Sequence, residues 1–347
     1  MLFTALRFAI VYLLAATALH AAQPSVTVSN VRRVFDNGEH NAFTDLVRFK
    51  GRFYLAFRSC PEGHGVSPKA SIIVLESTDA GKNWELVNRF AVKNRDTRDP
   101  HFLVFKNKLF VITGAWYSGP TKPKSYDLNE HLGFASWSAD GRDWKGPQLL
   151  EGTYGHYCWR AAVHDGKAYL CARRKKDFAR SPGRAEPAFV ESAMLESDDG
   201  LIWRKQTLFQ EKNGDETAFL FEPDGTIVGV GRRGRGNAEL LRSSPPYERW
   251  ARTDLGRYIG GPLIVRWGEC TVVAGRNTID GKARTQFCWL VGDALQDFAL
   301  LPSGGDTSYP GFIELSHERA LISWYSSHEK DANGKTRTAI YLAELEQ

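Results

Sequence analysis

The chain has 347 residues, 45 Lys and Arg against 40 Asp and Glu, and a formal net charge of +5. That length buries a large core, and two domains would fit it, although closed all-β folds run this long as one. The charges are scattered, which excludes the basic stripe of a nucleic-acid binder, and 32 Gly with 12% aromatics and 2 Met suit a turn-rich β protein.

Residues 1–22 read as a secretory signal peptide. Arg7 supplies the positive start, Phe8 to Leu19 is an apolar run too short to span a bilayer comfortably, and Ala21-Ala22 offers a cleavage site. A short membrane anchor is the other reading. No later segment is long and apolar enough to cross, so residues 23–347 are expected to be secreted or periplasmic, without stable membrane insertion. Five cysteines follow: Cys60, Cys158, Cys171, Cys270 and Cys288. Their odd number and the lack of a CxxC give no metal or redox motif, and no metal or cofactor is expected. One or two disulfides are open to an exported chain, but spacing does not pair them.

Ser25 to Phe35 reads as a strand without a hairpin partner. Hairpins then recur. Asp45 to Arg58 turns at Lys50-Gly51, Pro100 to Gly114 at Lys106-Asn107, and Arg160 to Arg173 at Asp165-Gly166. Glu216 to Arg233 turns at Asp224-Gly225, Pro262 to Arg276 near Trp267-Gly268, and Pro310 to Ser326 near Ser316-His317. Each is followed by further short strands, beginning at Ser71, Leu132, Ser192, Ala238, Thr285 and Thr338. Six repeats of four short strands are the signature of propeller blades, with the lone first strand completing the last blade and removing a free edge. Residues 23–347 are expected to form one all-β, six-bladed propeller.

A second signature follows the third strand. Ser77-Thr78-Asp79-Ala80-Gly81-Lys82-Asn83-Trp84 recurs, one residue shorter, from Ser138 to Trp144 and from Ser197 to Trp203, and in worn form from Ser243 to Trp250. Ser and Asp bond local amides, Gly takes the left-handed position, and Trp packs beneath. These turns belong to the face holding the three-to-four connections and are structural. The opposite rim collects His40, Asp45, Arg98, Asp99, Arg160, Glu216 and Tyr309 from strand starts. It also collects Arg58, Arg173, Arg232, Arg233, Arg276 and Tyr325 from strand ends, with Glu62 and His64 from the loop after Arg58. Arginines converging on one axis call for an anionic ligand or interleaved carboxylates.

The Ser-Asp-Gly-Trp turns resemble the Asp boxes of the sialidase-like propellers, over essentially the whole of residues 23–347. The resemblance implies an exo-acting glycoside hydrolase that releases a terminal acidic sugar, sialic acid or a relative, from a glycan. It implies Tyr309 as nucleophile, Glu216 as its base, Arg232 (or Arg233) and Arg276 as a carboxylate clamp, and His64 or Glu62 as acid/base. Arg58, Arg98, Asp99, Arg160, Asp45 and His40 complete the expected substrate-binding set. A phenol suits a substrate with a carboxylate on its anomeric carbon, because an anionic nucleophile would be repelled. Two places depart from the family. Its Arg-Ile-Pro opening is replaced by His40 to Leu46, which holds no arginine, and its acidic loop residue is replaced by Glu62-Gly63-His64. Arg58, Arg98 or Arg160 is expected to take the missing clamp position. A polysaccharide lyase acting on uronic-acid chains, and a non-catalytic carbohydrate-binding propeller, are the competing readings.

Overall fold

The structure, a computed structural model, describes residues 23–179 and 189–347, so the signal-peptide reading of residues 1–22 lies outside it. The turn chemistry sets the hairpins. Strands β1 (Thr27–Phe35), β2 (His40–Phe49) and β3 (Arg52–Cys60) open the chain, and β2 and β3 meet at Lys50 (φ 48°) and Gly51 (φ 78°). Two left-handed residues define the hairpin turn whose twist matches its strands. Lys106 and Asn107 (φ 45° and 63°) do the same between β6 (Arg95–Phe105) and β7 (Lys108–Tyr117). So do Asp165 and Gly166 (φ 46° and 72°) between β10 (Tyr157–His164) and β11 (Lys167–Lys175). The expected tight turn at Asp224-Gly225 is wider. β14 (Thr217–Phe221) and β15 (Ile227–Arg233) are joined by a loop in which Gly225 N donates to Glu222 O at 2.9 Å and Glu222 N to Thr226 O at 2.8 Å. Pro223 is locked at negative φ and cannot take a left-handed turn position, so the loop lengthens.

The remaining strands are β4 (Ser71–Ser77), β5 (Glu85–Phe90), β8 (Leu132–Ser138), β9 (Trp144–Leu149), β12 (Val190–Ser197), β13 (Arg204–Gln210), β16 (Gly236–Ser243) and β17 (Ala251–Asp254). β18 (Gly260–Trp267), β19 (Cys270–Ile279), β20 (Lys282–Val291), β21 (Ala294–Leu300), β22 (Thr307–Ser316), β23 (Arg319–Lys330) and β24 (Thr336–Glu346) complete the chain. Four sheets hold four strands each in sequence order: β6 to β9, β10 to β13, β14 to β17 and β18 to β21. The fifth holds eight. Within it β2 to β5 run antiparallel, β22 to β24 run antiparallel with β1 on β24, and one parallel pair, His40 with Thr338, joins the two groups. The first strands pack in cyclic order, β2 on β6, β6 on β10, β10 on β14, β14 on β18, β18 on β22 and β22 on β2. The sheets therefore radiate from an axis, with buried aromatic and aliphatic side chains filling the wedges between them. All five cysteines are free thiols, so the disulfides that the sequence admits do not form. No helix among the described residues is long and apolar enough to cross a membrane.

Five of the six first strands begin before the points at which the sequence pattern starts, because each of the five carries a β-bulge; β14, which starts at Thr217, has none. Register shifts fall between Ala42 and Asp45, Arg98 and His101, Cys158 and Ala161, Gly260 and Leu263, and Ser308 and Gly311. Four bulges contain a left-handed residue: Phe43 (φ 64°), Asp99 (φ 52°), Gly261 (φ 59°) and Tyr309 (φ 51°). Pro100, Pro262 and Pro310 follow three of them, where a ladder N–H is not needed. A bulge re-aims one side chain without ending the strand, and here that happens next to the axis.

The Ser-Asp turns lie between third and fourth strands, on the other face. In the third copy Asp199 Oδ1 accepts from Leu201 N and Ile202 N, both at 2.8 Å, and the buried Trp203 indole donates to Gly200 O at 3.2 Å. The first two copies repeat this, with Trp84 to Gly81 O and Trp144 to Gly141 O both at 3.0 Å. In the worn copy Ser243 Oγ donates to Arg249 O at 2.7 Å instead, and Trp250 Nε1 has no partner among the described residues. Asp199→Ala should lower stability by about 1–2 kcal/mol, the worth of its charge-assisted bonds, and leave pocket chemistry intact. Urea unfolding alongside ligand-binding assays checks both halves, and a folded variant that no longer binds ligand would contradict the separation of the two faces.

Candidate active site

The opening of the β14–β15 hairpin sets the site. Arg232 N donates to Glu216 O at 2.9 Å, pinning the two residues opposite one another. Their side chains then pair, with Arg232 Nη1 2.9 Å from Glu216 Oε2, which also accepts from Gly261 N at 3.0 Å. Glu216 Oε1 takes a short hydrogen bond from the Tyr309 hydroxyl. That hydroxyl lies 3.5 Å from Asp99 Oδ2, which accepts a short bond from Tyr157. Two bulges and one hairpin end thus bring Glu216, Tyr309 and Asp99 together from three sheets.

These groups line a cavity of about 360 Å³ with Phe43, His64, Arg98, Trp116, Arg173, Arg232, Arg276 and Tyr325. A second cavity of about 280 Å³ shares Trp116, Arg173 and Arg232 and adds Leu128, Val190 and Arg235. The arginines are interleaved with carboxylates. Arg173 and Arg232 flank Asp215, and Arg98 lies 3.7 Å from Asp99 and 3.4 Å from Asp96. Arg276 is held more loosely. Its Nη2 donates to Tyr258 at 3.0 Å, and its nearest ion-pair partner among the described residues is Asp306, 4.0 Å away. Among the arginines that line the first cavity it is the one most open to an incoming anion.

Burial would raise the Glu216 carboxyl, but Arg232, the Tyr309 hydroxyl and Arg173 outweigh it and hold it well below the usual range. Burial and the Asp99 and Glu216 carboxylates push the Tyr309 phenol far up, so it rests protonated. Asp99 is pushed up to about 6, by burial first and by Glu216, against the pull of Arg98. A buried acid with a raised pKa binds its proton more tightly folded than unfolded, so this contribution falls as pH rises from 3.8 to about 6. Asp99→Asn should remove that decline. Urea midpoints of both proteins across this window test it, and identical pH dependence would refute it.

The structure divides the expected site residues. Tyr309, Glu216, Arg232, Arg276, Arg98, Asp99 and His64 converge on the pocket. Four others do not. Arg58 is fully buried, bidentate to Asp96 at 2.9 and 3.0 Å and bonded to the carbonyls of Gly63 and Gly65, so it braces the loop. Arg160 and Asp45 pair at 3.1 Å beneath the pocket. Glu62 bonds Ser67 and Lys69, both at 2.7 Å. Arg233 pairs with Glu239 at 3.1 Å, leaving Arg232 as the pocket member. His40 meets the site through Asp306, at 2.8 Å. Of the three arginines expected to replace the missing clamp member, only Arg98 lines the pocket. Phe43, from the His40 to Leu46 stretch, lines the pocket, 4.9 Å from the Tyr309 ring and beneath the Arg98 guanidinium.

Asp306, Asp215 and Tyr157 were not legible as site residues, and Arg173 had no assigned role. Asp306 precedes β22, in a stretch that the pattern starting at Pro310 leaves as loop. Among the described residues, His40, His64 and Asp306 place three metal-capable atoms within 4.8 Å of one another.

Gly261 is required where it stands. A Cβ there would lie 2.7 Å from both Ser308 Oγ and Tyr309 Cδ2, at a φ of 59° that side chains disfavour. Gly261→Ala should displace the Tyr309 ring and cost about 1–3 kcal/mol. Thermal unfolding checks this, and an unchanged midpoint would show that the bulge has slack.

Fold and site together define an all-β propeller with a buried carboxylate–phenol pair facing several arginines. No protein-family model and no curated protein matches the chain. Among solved structures it is similar to a protein of unknown function from Dyadobacter fermentans, with a TM-score of 0.74 and 19% identity over 93% of this chain and 100% of that one. It is also similar to Trypanosoma rangeli sialidase solved as the covalent intermediate with 2,3-difluorosialic acid (TM-score 0.63, 13% identity), covering 92% of this chain and 58% of that one. A phage phi92 endosialidase gives a TM-score of 0.64 at 10% identity, over 92% of this chain and 69% of that one. The fold is a propeller similar to that of sialidases, and this chain spans roughly three-fifths of the trypanosomal enzyme.

Proposed function

We propose that the protein is an exo-acting glycoside hydrolase on a six-bladed ring, with the eight-stranded sheet counted as two blades, and that it releases a terminal acidic sugar from glycans. The observation that carries this reading is the hydrogen bond from Tyr309 to Glu216 at the floor of a pocket that Arg232 and Arg276 also line. In the first step the Tyr309 oxygen attacks the anomeric carbon while its proton passes to Glu216. An acid at the rim protonates the departing oxygen. Water then reverses these roles and releases the sugar. Arg276, with Arg232, receives the substrate carboxylate. The Asp-box likeness of the Ser-Asp-Gly-Trp turns supports the same assignment. The first 22 residues support export to the periplasm or beyond.

Incubation with a panel of sialylated and uronate-containing glycans, read by product mass, tests the proposal. Release of a free acidic monosaccharide with water added supports it. Unsaturated uronate products would replace it with the lyase reading, and binding without turnover would replace it with a non-catalytic one.

A further inference from the structure

Two imidazoles aim at one carboxylate oxygen beside the pocket. His64 Nδ1 lies 2.6 Å and His40 Nε2 lies 2.8 Å from Asp306 Oδ2. The other oxygen, Oδ1, accepts from the Tyr325 hydroxyl at 2.9 Å. Burial would raise the Asp306 carboxyl, but the two histidines outweigh it and keep it ionised, so both facing nitrogens carry protons and donate. The histidines are not equivalent. The His40 side chain is 10% exposed, whereas that of His64 is 56% exposed and lines the pocket. Arg98 Nη2 holds the His64 carbonyl at 3.0 Å, and the Phe43 ring packs edge-on to the imidazole with centroids 5.5 Å apart. His64 is therefore fixed through Nδ1, while Nε2 has no protein partner among the described residues.

Resting on the hydrolase reading, we propose that Asp306 is a positioning residue that locks His64 with its proton on Nδ1, making Nε2 the acid/base that serves the leaving group. In the first step His64 is an imidazolium. The bond from the anomeric carbon to the glycosidic oxygen breaks, and Nε2 gives its proton to that oxygen. Neutral His64 then retains Nδ1–H toward Asp306 and presents the Nε2 lone pair, which takes a proton from the attacking water. The wrong tautomer would face that water with an N–H and could not accept it. His40, as the second donor, holds the carboxylate in place.

The same three residues are also near enough to hold a metal, but two observations weigh against that use. The Arg276 guanidinium sits 4.0 Å from the carboxylate, adding positive charge where a cation would go. Among the described residues, the buried His40 Nδ1 lacks the partner that a metal-bound imidazole ordinarily has.

The test has two arms. The first is long-range proton–nitrogen NMR of the imidazoles under alkaline conditions, and it does not depend on which glycan is cleaved. Neutral His64 is expected as the Nδ1–H tautomer in the wild type, and this preference should be lost in Asp306→Ala. An Nε2–H tautomer in the wild type, or no change in the variant, overturns the proposal. The second arm compares 3′-sialyllactose, which has an alkyl leaving group, with 4-methylumbelliferyl N-acetylneuraminic acid, whose phenol departs without help. Asp306→Ala should lower kcat/KM, which reports departure of the leaving group, on the first roughly 10²–10³-fold and on the second less than tenfold, as His64→Ala should. The double variant should be no worse than either single one. Equal losses on both substrates overturn the proposal, as does stoichiometric zinc binding that Asp306→Ala abolishes and on which turnover depends. Wild-type inactivity on both glycosides would count against the sialic-acid reading, and the NMR arm would then decide the positioning claim alone.

Discussion

Tyr309→Phe should lower turnover of the natural glycan by at least ~10³-fold and leave its affinity within a few-fold of wild type. The hydroxyl is the only atom removed. The ring stays packed against Phe43 and Trp159, with centroids 4.9 and 5.9 Å away, and the left-handed backbone at Tyr309 is untouched. Substrate binding falls to the arginines. Glu216 remains bonded to Arg232 and Gly261 N, so the loss of one donor does not strand its charge. A phenol is suited to this place because its proton has somewhere to go. Burial and two carboxylates keep the resting group neutral, so on the hydrolase reading an anionic substrate would meet no negative nucleophile, and attack would be coupled to proton transfer onto Glu216. The measurement is kcat with product detection, together with calorimetric titration of the released sugar. Full turnover by the variant would remove Tyr309 from the chemistry, and loss of sugar binding with turnover per bound complex retained would make it a binding residue instead.

The legible part of the molecule is the part written in short-range chemistry. Paired left-handed turn residues such as Asp165-Gly166, and the spacing of Ser197, Asp199, Gly200 and Trp203, work locally and can be read locally. The pocket was legible only so far as strand ends are. Glu216 and Arg232 meet because a regular hairpin has to bring its open ends together. The bulges are a different matter. Inserting one residue turns every later side chain to the opposite face, and alternation alone does not reveal where the extra residue lies. Hence Asp45 and Arg160, read as rim residues, turn beneath the pocket, while Phe43 and Asp99 turn into it. The carboxylate–arginine partnerships were harder still. Arg58 with Asp96 spans 38 positions and Arg160 with Asp45 spans 115, and only the closed ring decides which arginines are consumed by the protein and which face a ligand.

That distinction makes Arg160 a residue whose loss should harm the fold severely. Its side chain runs under the Glu216–Tyr309 pair, where Nε donates to Pro262 O at 2.9 Å, Nη2 to Pro310 O at 2.7 Å and Nη1 to Asp45 Oδ1 at 3.1 Å. One guanidinium thus ties β10 to β18, β22 and β2, three strands that a four-residue view of the sequence would never connect. Asp45 Oδ2 in turn accepts from Phe102 N at 2.8 Å, bringing in β6. Arg160→Met keeps most of the volume but leaves Asp45 as a buried carboxylate facing a neutral His101 and one amide. Breaking a buried pair from one side costs about 3–5 kcal/mol, a large share of the roughly 5–15 kcal/mol that holds a typical domain together. Adding Asp45→Asn to Arg160→Met should recover part of the loss, because the stranded charge goes with it. The pH dependence has a definite sign. Burial alone would raise Asp45, but Arg160, His101 and the Phe102 amide hold it below its ordinary 3.8. Its stabilising contribution is therefore present above that value and disappears as pH falls through the lower, folded one. Arg160→Met should thus lose the most relative to wild type near neutrality and converge on it in acid. Urea titrations of the three proteins at several pH values measure this. A variant as stable as wild type, impaired only in binding acidic glycans, would return Arg160 to the pocket and refute its place as the axial tie.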